Sequence, residues 1–254
     1  MTGLWSNLTN DQVWQMWPQA KKDPVHGIIY ESGFLDSSPL YHTLLGLLNQ
    51  HTVKKHCIVS ACDAITGVYY PMSLYDPTGK MSNEQKAASI VGSASVPFAF
   101  PPTSMKDYGM DVLLIDGGSA WNNNMISGVK ECYDIEGIED PSQIVVDIII
   151  LESNKLDPMP AVNNSTMPAT FYEYERARTI RDYYQVMNDI EEFMKANPDI
   201  NYRYFFQPET SLLPDYFLLE FGPKFTGPLI TRGQQDALKV IKKGPGASFD
   251  KFRK

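Results

Sequence analysis

Apolar residues along the chain fall into two kinds of run. Short continuous ones occur at Cys57-Ile58-Val59-Ser60-Ala61-Cys62, at Val112-Leu113-Leu114-Ile115 and at Ile144 to Leu151, the length and composition of buried strands. Longer ones repeat at helical spacing. Leu40, Tyr41, Leu44, Leu45, Leu47 and Leu48 predict a strongly apolar, largely buried helix. Ile180, Tyr183, Met187, Ile190 and Met194 lie on one face of a long helix over Phe171 to Ala196, and Thr226 to Lys243 reads as a last helix. Arg176, Arg178, Arg181, Glu191 and Glu192 give the long helix a solvated charged face. The mixture of strands and helices predicts an α/β class. The β-branched run Val145-Val146-Asp147-Ile148-Ile149-Ile150 suits a central strand covered on both faces, in the same sheet as the Val112 strand. Tyr202 to Phe206 reads as an edge strand.

Punctuation between these runs is clear in several places. Thr9 and Gln12 have capping-box spacing for a helix ending before Pro18, and a polar connector, Gln19 to Asp23, follows. Ser37-Ser38-Pro39 and Ser82-Asn83-Glu84-Gln85 open two further helices. Asp63-Ala64-Ile65-Thr66-Gly67 turns the Cys57 strand back into Val68-Tyr69-Tyr70 as a hairpin, with Gly67 at the position that needs positive φ. The small residues Gly92-Ser93-Ala94-Ser95 permit close backbone approach, and Val96 to Pro102 reads as a stiff, exposed loop bearing aromatics. Asn154 to Thr170 reads as a long polar loop.

The Val112 run ends in Asp116-Gly117-Gly118, which presents a carboxylate at the carboxyl end of a strand. Ligands bind and catalytic groups are held at such ends in open α/β sheets. Two readings of Asp116 stand together: a catalytic carboxylate, or a side chain that caps the following turn through its own backbone.

Composition narrows the partners. Of 254 residues, 43% are apolar, enough for a proper core. A net charge of −8 argues against nucleic acid and against anionic membranes, while leaving neutral lipid surfaces open. The three cysteines make no disulfide framework: Cys57 and Cys62 point to opposite faces of one strand, and Cys132 reads as a small buried residue. The four histidines have no metal-ligand spacing, and no nucleotide, flavin or other cofactor motif occurs. Trp5, Trp14 and Trp17 are either packed on the core or form a patch for lipid or a partner. The amino terminus lacks the pattern of a signal peptide, and no apolar run reaches bilayer length. Sequons at Asn7-Leu8-Thr9 and within Asn163-Asn164-Ser165-Thr166 leave a secretory origin open, so the compartment is not fixed; nor is the oligomeric state.

A helix ending in Gly92-Ser93-Ala94-Ser95-Val96-Pro97-Phe98-Ala99-Phe100-Pro101-Pro102, then a strand closing in Ile115-Asp116-Gly117-Gly118 and the run Asn122-Asn123-Asn124, resembles the patatin-like phospholipase family. The Asp63 to Gly67 hairpin looks like that family's too, and the recognisable landmarks cover residues 1 to 150. The resemblance implies a layered α/β/α domain and a lipid acyl-ester hydrolase using a Ser-Asp dyad. Asp116 matches the dyad aspartate, with Gly117 and Gly118 completing the motif.

The chain departs from that family in one respect. The Gly-x-Ser-x-Gly elbow that carries the nucleophile, and the glycine-rich oxyanion loop, are both absent: Ser93, Ser95, Ser119 and Ser248 each lack the elbow's flanking residues. The expectation is one partial domain over residues 1–243, incomplete at its amino-terminal side, retaining the base but not the nucleophile and inactive alone. Residues 244–254 read as a flexible basic tail, or as one that touches a membrane through Lys251, Arg253 and Lys254. A non-catalytic lipid-binding or protein-interaction module on the same fold is the alternative. An acid/base enzyme pairing Asp116 with Asp63 or Glu152 is the third.

Overall fold

The computed structural model describes residues 2–19, 26–151, 153, 156, 169–210 and 219–253. The loop expected over Asn154 to Thr170 falls largely outside them, as do Glu152, the Asn163 to Thr166 cluster and all of the Gln19 to Asp23 connector except Gln19. Helices and small sheets of both senses make the chain α/β in the broad sense. The chain divides into two compact units, Met1–Glu131 with Leu219–Phe225, and Cys132–Leu218 with Thr226–Lys254.

The first unit opens with α1 (Thr2–Asn7), one 3-10 turn at Asn10–Gln12, and β1 (Gln15–Met16). The Thr9–Gln12 signal is used, with the Thr9 N–H donating to Gln12 Oε1 at 3.0 Å, but it caps a single turn rather than a helix reaching Pro18. After α2 (His26–Tyr30) comes β2 (Leu35–Asp36), which pairs antiparallel with β1. Next is α3 (Ser38–Gln50). Ser37 is its N-cap residue by position, yet Asp36 does the capping: its carboxylate accepts the Ser38 N–H and hydroxyl, each at 2.8 Å. None of α3 is fully buried, contrary to its composition.

A four-stranded sheet follows, built from β3 (Ile58–Asp63), β4 (Tyr69–Ser73), β5 (Thr103–Ser104) and β6 (Leu113–Asp116), in the order β4-β3-β6-β5 with every pairing antiparallel. Gly67 takes φ +73° in the β3–β4 turn, as expected. Between β4 and β5 lies α4 (Asn83–Ser93), capped by Ser82 Oγ, which accepts the Gln85 N–H at 3.1 Å. Ala61, Met72 and Leu114 share one face of the sheet and form a buried cluster with Ala88 of α4 and Met105. Gly92 is the point of closest approach: a Cβ there would stand 2.8 Å from Leu114 Cβ, so the small-residue run has the steric purpose its composition suggested. In the loop that follows, Phe98 is 71% exposed and Phe100 buried. Trp14 and Trp17 are half-buried and hydrogen-bonded, to the Leu219 and Gly33 carbonyls, while Trp5 is exposed.

Helix α5 (Met125–Asp134) leads toward the second unit, whose strands are β7 (Val145–Ile149) and β8 (Asn201–Phe206). These two pair with each other in parallel and belong to no larger sheet among the described residues. The expectation that the Ile144 run joins the Asp116 strand is therefore wrong. Both edges of β6 are already taken, by β3 and by β5. Nor is the run covered on both faces: Ile144, Ile148 and Ile150 are buried, whereas Ile149 is 70% and Leu151 73% exposed. A nearly unbroken β-branched run obscures this period of two, because Asp147 is the one polar side chain that marks the exposed face. Long α6 (Ala169–Ala196) buries Val186, Ile190, Phe193 and Met194, and α7 (Pro223–Lys242) follows β8. Cys132 is half-buried rather than buried. The expected flexible tail is instead a 3-10 turn, Ala247–Phe252, with Phe249 completely buried against Tyr202 and Phe205.

Candidate functional site

Asp116 ends β6, where Ala61 of β3 is its register partner and its own N–H donates to the Ser95 carbonyl at 2.9 Å. The backbone then turns at once through Gly117–Ser119. Gly117 makes that turn possible. A Cβ on it would lie 2.7 Å from the carbonyl carbon of Ser60, so a side chain would force apart two stretches of backbone. At Gly118 the crowding is different in kind, since the atoms met are side-chain oxygens, Asn122 Oδ1 and Asp116 Oδ1, the latter 2.9 Å away.

Among the described residues the Asp116 carboxylate accepts one hydrogen bond, from the Gly118 N–H at 2.7 Å. The capping reading of Asp116 is thus realised in the geometry, and it leaves most of the carboxylate's acceptor capacity unused. Burial is the larger influence and pushes its pKa above the usual aspartate value; the Gly118 bond pulls the other way. A carboxylate raised in this way holds a proton more readily than an exposed one.

Around it lie Cys62, Tyr69 and Ser60. The Cys62 thiol is buried, 4.0 Å from the Gly117 carbonyl, and its pKa is raised first by burial and then by the negative charge of Asp116. It therefore stays a thiol. Tyr69 is likewise raised, chiefly by burial, with Cys62 and Asp116 adding to the effect and a hydrogen bond with Ser60 opposing it. Its ring meets Trp121 edge-on at 5.1 Å, which sets an aromatic pair beside the carboxylate. Asn124 ties the floor together, donating to Ser60 Oγ at 2.8 Å and accepting the Ser127 N–H at 3.2 Å as α5 begins.

Two serines near this region, Ser95 and Ser60, have their hydroxyls committed elsewhere. Ser95 Oγ donates to the Val91 carbonyl (2.9 Å) and faces Thr103 Oγ1 (3.1 Å), and Ser60 Oγ is held by Asn124 and Tyr69. Asp63 lies on the same pair of strands, opposite Leu114, but its carboxylate is filled with donors from its own turn and from Leu113. Tyr69, Trp121 and Asn124 were not anticipated as neighbours of Asp116. The Asn122 to Asn124 run was the one sequence signal pointing to them.

No protein-family model matches the chain, and no curated protein matches it significantly.

Proposed function

We propose that this chain is the rear portion of a patatin-like lipid acyl-ester hydrolase with the layered α/β/α arrangement of that family. Asp116 is the base of its Ser-Asp dyad, and the nucleophilic serine lies outside these 254 residues. The observation that carries this reading is the state of Asp116, a half-buried carboxylate at a strand end with one hydrogen-bond donor and a raised pKa. A serine hydroxyl is activated by a base within hydrogen-bond reach whose proton affinity is high enough to take its proton. Asp63 could not serve, because its donors hold it ionised. The Tyr69–Trp121 pair gives an acyl chain an apolar wall beside the carboxylate. On this reading the 254 residues alone are inactive.

Hydrolysis of p-nitrophenyl butyrate by this chain and by an Asp116→Asn variant, both checked by circular dichroism, is expected to give no turnover. Activity that disappears in Asp116→Asn would mean that one of the dismissed serines acts as nucleophile. The coding sequence upstream of Met1 is the companion test. An in-frame Gly-x-Ser-x-Gly segment supports the proposal, and the longer product should then lose roughly a hundredfold or more in turnover on Asp116→Asn. A frame with no such segment sinks the hydrolase reading.

That last outcome would leave the second reading, a non-catalytic lipid-binding module. Phe98, exposed in a left-handed conformation (φ +76°) and edge-on to Phe34 at 4.5 Å, favours it. Loss of co-sedimentation with phosphatidylcholine vesicles on Phe98→Ser would separate it from the first.

A further inference from the structure

Among the described residues, every sheet edge but one is guarded. In the four-stranded sheet, the outer strand β4 carries exposed Pro71, which has no N–H to offer a neighbour, and the other outer strand, β5, is two residues long. Strands β1 and β2 are equally short. The outer edge of β8 is covered by the turn Ala247–Phe252: the Gly246 N–H donates to the Arg203 carbonyl at 2.8 Å, and Ser248 Oγ accepts the Phe205 N–H at 2.8 Å. The outer edge of β7 has no such cover among the described residues. Val145–Ile149 contains no proline, glycine or lysine, and the irregularity in the pairing places its extra residue, Arg203, on β8.

Which groups that edge offers follows from alternation. At one end of β7 the Ile144 carbonyl accepts the Asn201 N–H at 2.9 Å, and at the other the Ile150 N–H donates to the Phe206 carbonyl at 3.0 Å. Even-numbered residues thus turn their backbone groups to β8, and Val145, Asp147 and Ile149 turn theirs outward. The same three carry the exposed side chains, Val145 at 47% and Ile149 at 70%, with Asp147 between them. Asp147 brings no uncompensated charge, because Arg203 donates to it through Nε, at 3.0 Å, and through Nη2.

This pattern of an apolar residue, a neutralised pair and an apolar residue reads the same in both directions. A second copy of the strand, laid antiparallel about a two-fold axis at Asp147, sets Val145 of each copy against Ile149 of the other. The outward N–H and C=O groups of all three residues are then bonded, and two marginal two-stranded pairs become one sheet of four strands in the order β8-β7-β7-β8. At the axis the two Asp147–Arg203 pairs meet as neutral units, so the like carboxylates do not oppose the contact. We propose that the chain forms a two-fold dimer by antiparallel pairing of β7 with β7 of a second copy. The inference is independent of the role given to Asp116.

Sedimentation equilibrium of the 254-residue chain is expected to show monomer and dimer with a Kd on the order of 10–100 µM, in keeping with a small edge contact. Ile149→Lys and, separately, Val145→Lys change exposed positions, so the circular dichroism spectrum should be unaltered while Kd rises about tenfold or more. Amide exchange followed by NMR in the unaltered chain reads the pairing itself. The Val145, Asp147 and Ile149 N–H groups should exchange roughly tenfold more slowly in the dimer than in the dilute monomer. A chain still monomeric at about 500 µM overturns the proposal and leaves the edge to a strand from a different protein. A dimer that both lysine variants leave intact overturns it too, as does a dimer in which those three amides exchange as they do in the monomer.

Discussion

Asp63 and Asp116 belong to the same pair of strands, one opposite Leu114 and the other opposite Ala61, yet their carboxyls are driven in opposite directions. Asp63 is buried and accepts from Thr66 Oγ1 at 2.6 Å, the Leu113 N–H at 3.0 Å and the Thr66 N–H at 3.1 Å, with Ile65 N–H at 3.4 Å. Those bonds, the Thr66 hydroxyl first and Leu113 next, hold it below the usual carboxylate range despite its burial. Asp116 has one donor among the described residues, and burial prevails. Desolvation alone does not make a carboxylate reactive. The count of donors aimed at it decides whether a half-hidden aspartate fastens a fold or holds a proton for chemistry.

The contrast can be broken most forcibly at Asp63. Replacing it with alanine strands the Leu113 N–H and the Thr66 donors, and unties the β3–β4 turn from the start of β6. The thermal midpoint at neutral pH should fall by roughly 10 °C. The sign of the pH dependence follows from the depressed native pKa. Ionised Asp63 contributes stability that is present above the unfolded value near 3.8 and is lost as pH falls through the native one. The deficit of Asp63→Ala should thus narrow as the pH is lowered from about 5 toward 3. A deficit unchanged with pH would mean that the shape of the side chain matters there, and its charge does not.

Gly117 and Gly118 carry the comparison into the turn itself. Gly117→Ala meets the Ser60 backbone, which cannot step aside, and should cost about 1–3 kcal/mol in urea unfolding. Gly118→Ala meets the side-chain oxygens of Asn122 and Asp116, which can swing away. Its cost should be the smaller of the two, while its effect on the Asp116 carboxyl should be the larger. Equal losses from both would show that the tight turn, rather than the site, is what the glycine pair serves.

Most of the first unit is legible in the sequence, because its signals are local and steric. Gly67 in the hairpin, Ser82 at its cap and Gly92 against Leu114 are each demanded within a few residues or by one close contact. Asp116 is legible for the same reason, as a carboxylate between an apolar run and two glycines. Its environment is not. Tyr69 and Trp121 stand far apart in the chain, and the β3–β4 and β3–β6 registers together bring the first near Asp116. The second unit misleads where composition is uniform. The Ile144 run has Asp147 as the one polar mark of its exposed face, and the lysines and arginine of the last residues mask Phe249, whose burial orders the whole turn.

The smallest expected effect bears hardest on the site. Asp116→Asn removes a charge that burial opposes and keeps an Oδ1 to accept the Gly118 N–H. Because the native pKa lies above the unfolded one, the folded state binds more protons between the two values, and stability falls as pH rises through that window. The penalty is fully developed above the native value and absent below the unfolded value near 3.8. The asparagine variant escapes it. Its thermal midpoint at pH 7 should therefore equal or exceed that of the unaltered chain by up to about 3 °C, and the two should converge near pH 3, where both side chains are neutral. A variant less stable at pH 7 than at pH 3, relative to the unaltered chain, would make Asp116 a second Asp63. It would then be an ionised fastener held by donors, without the proton affinity that a dyad base requires.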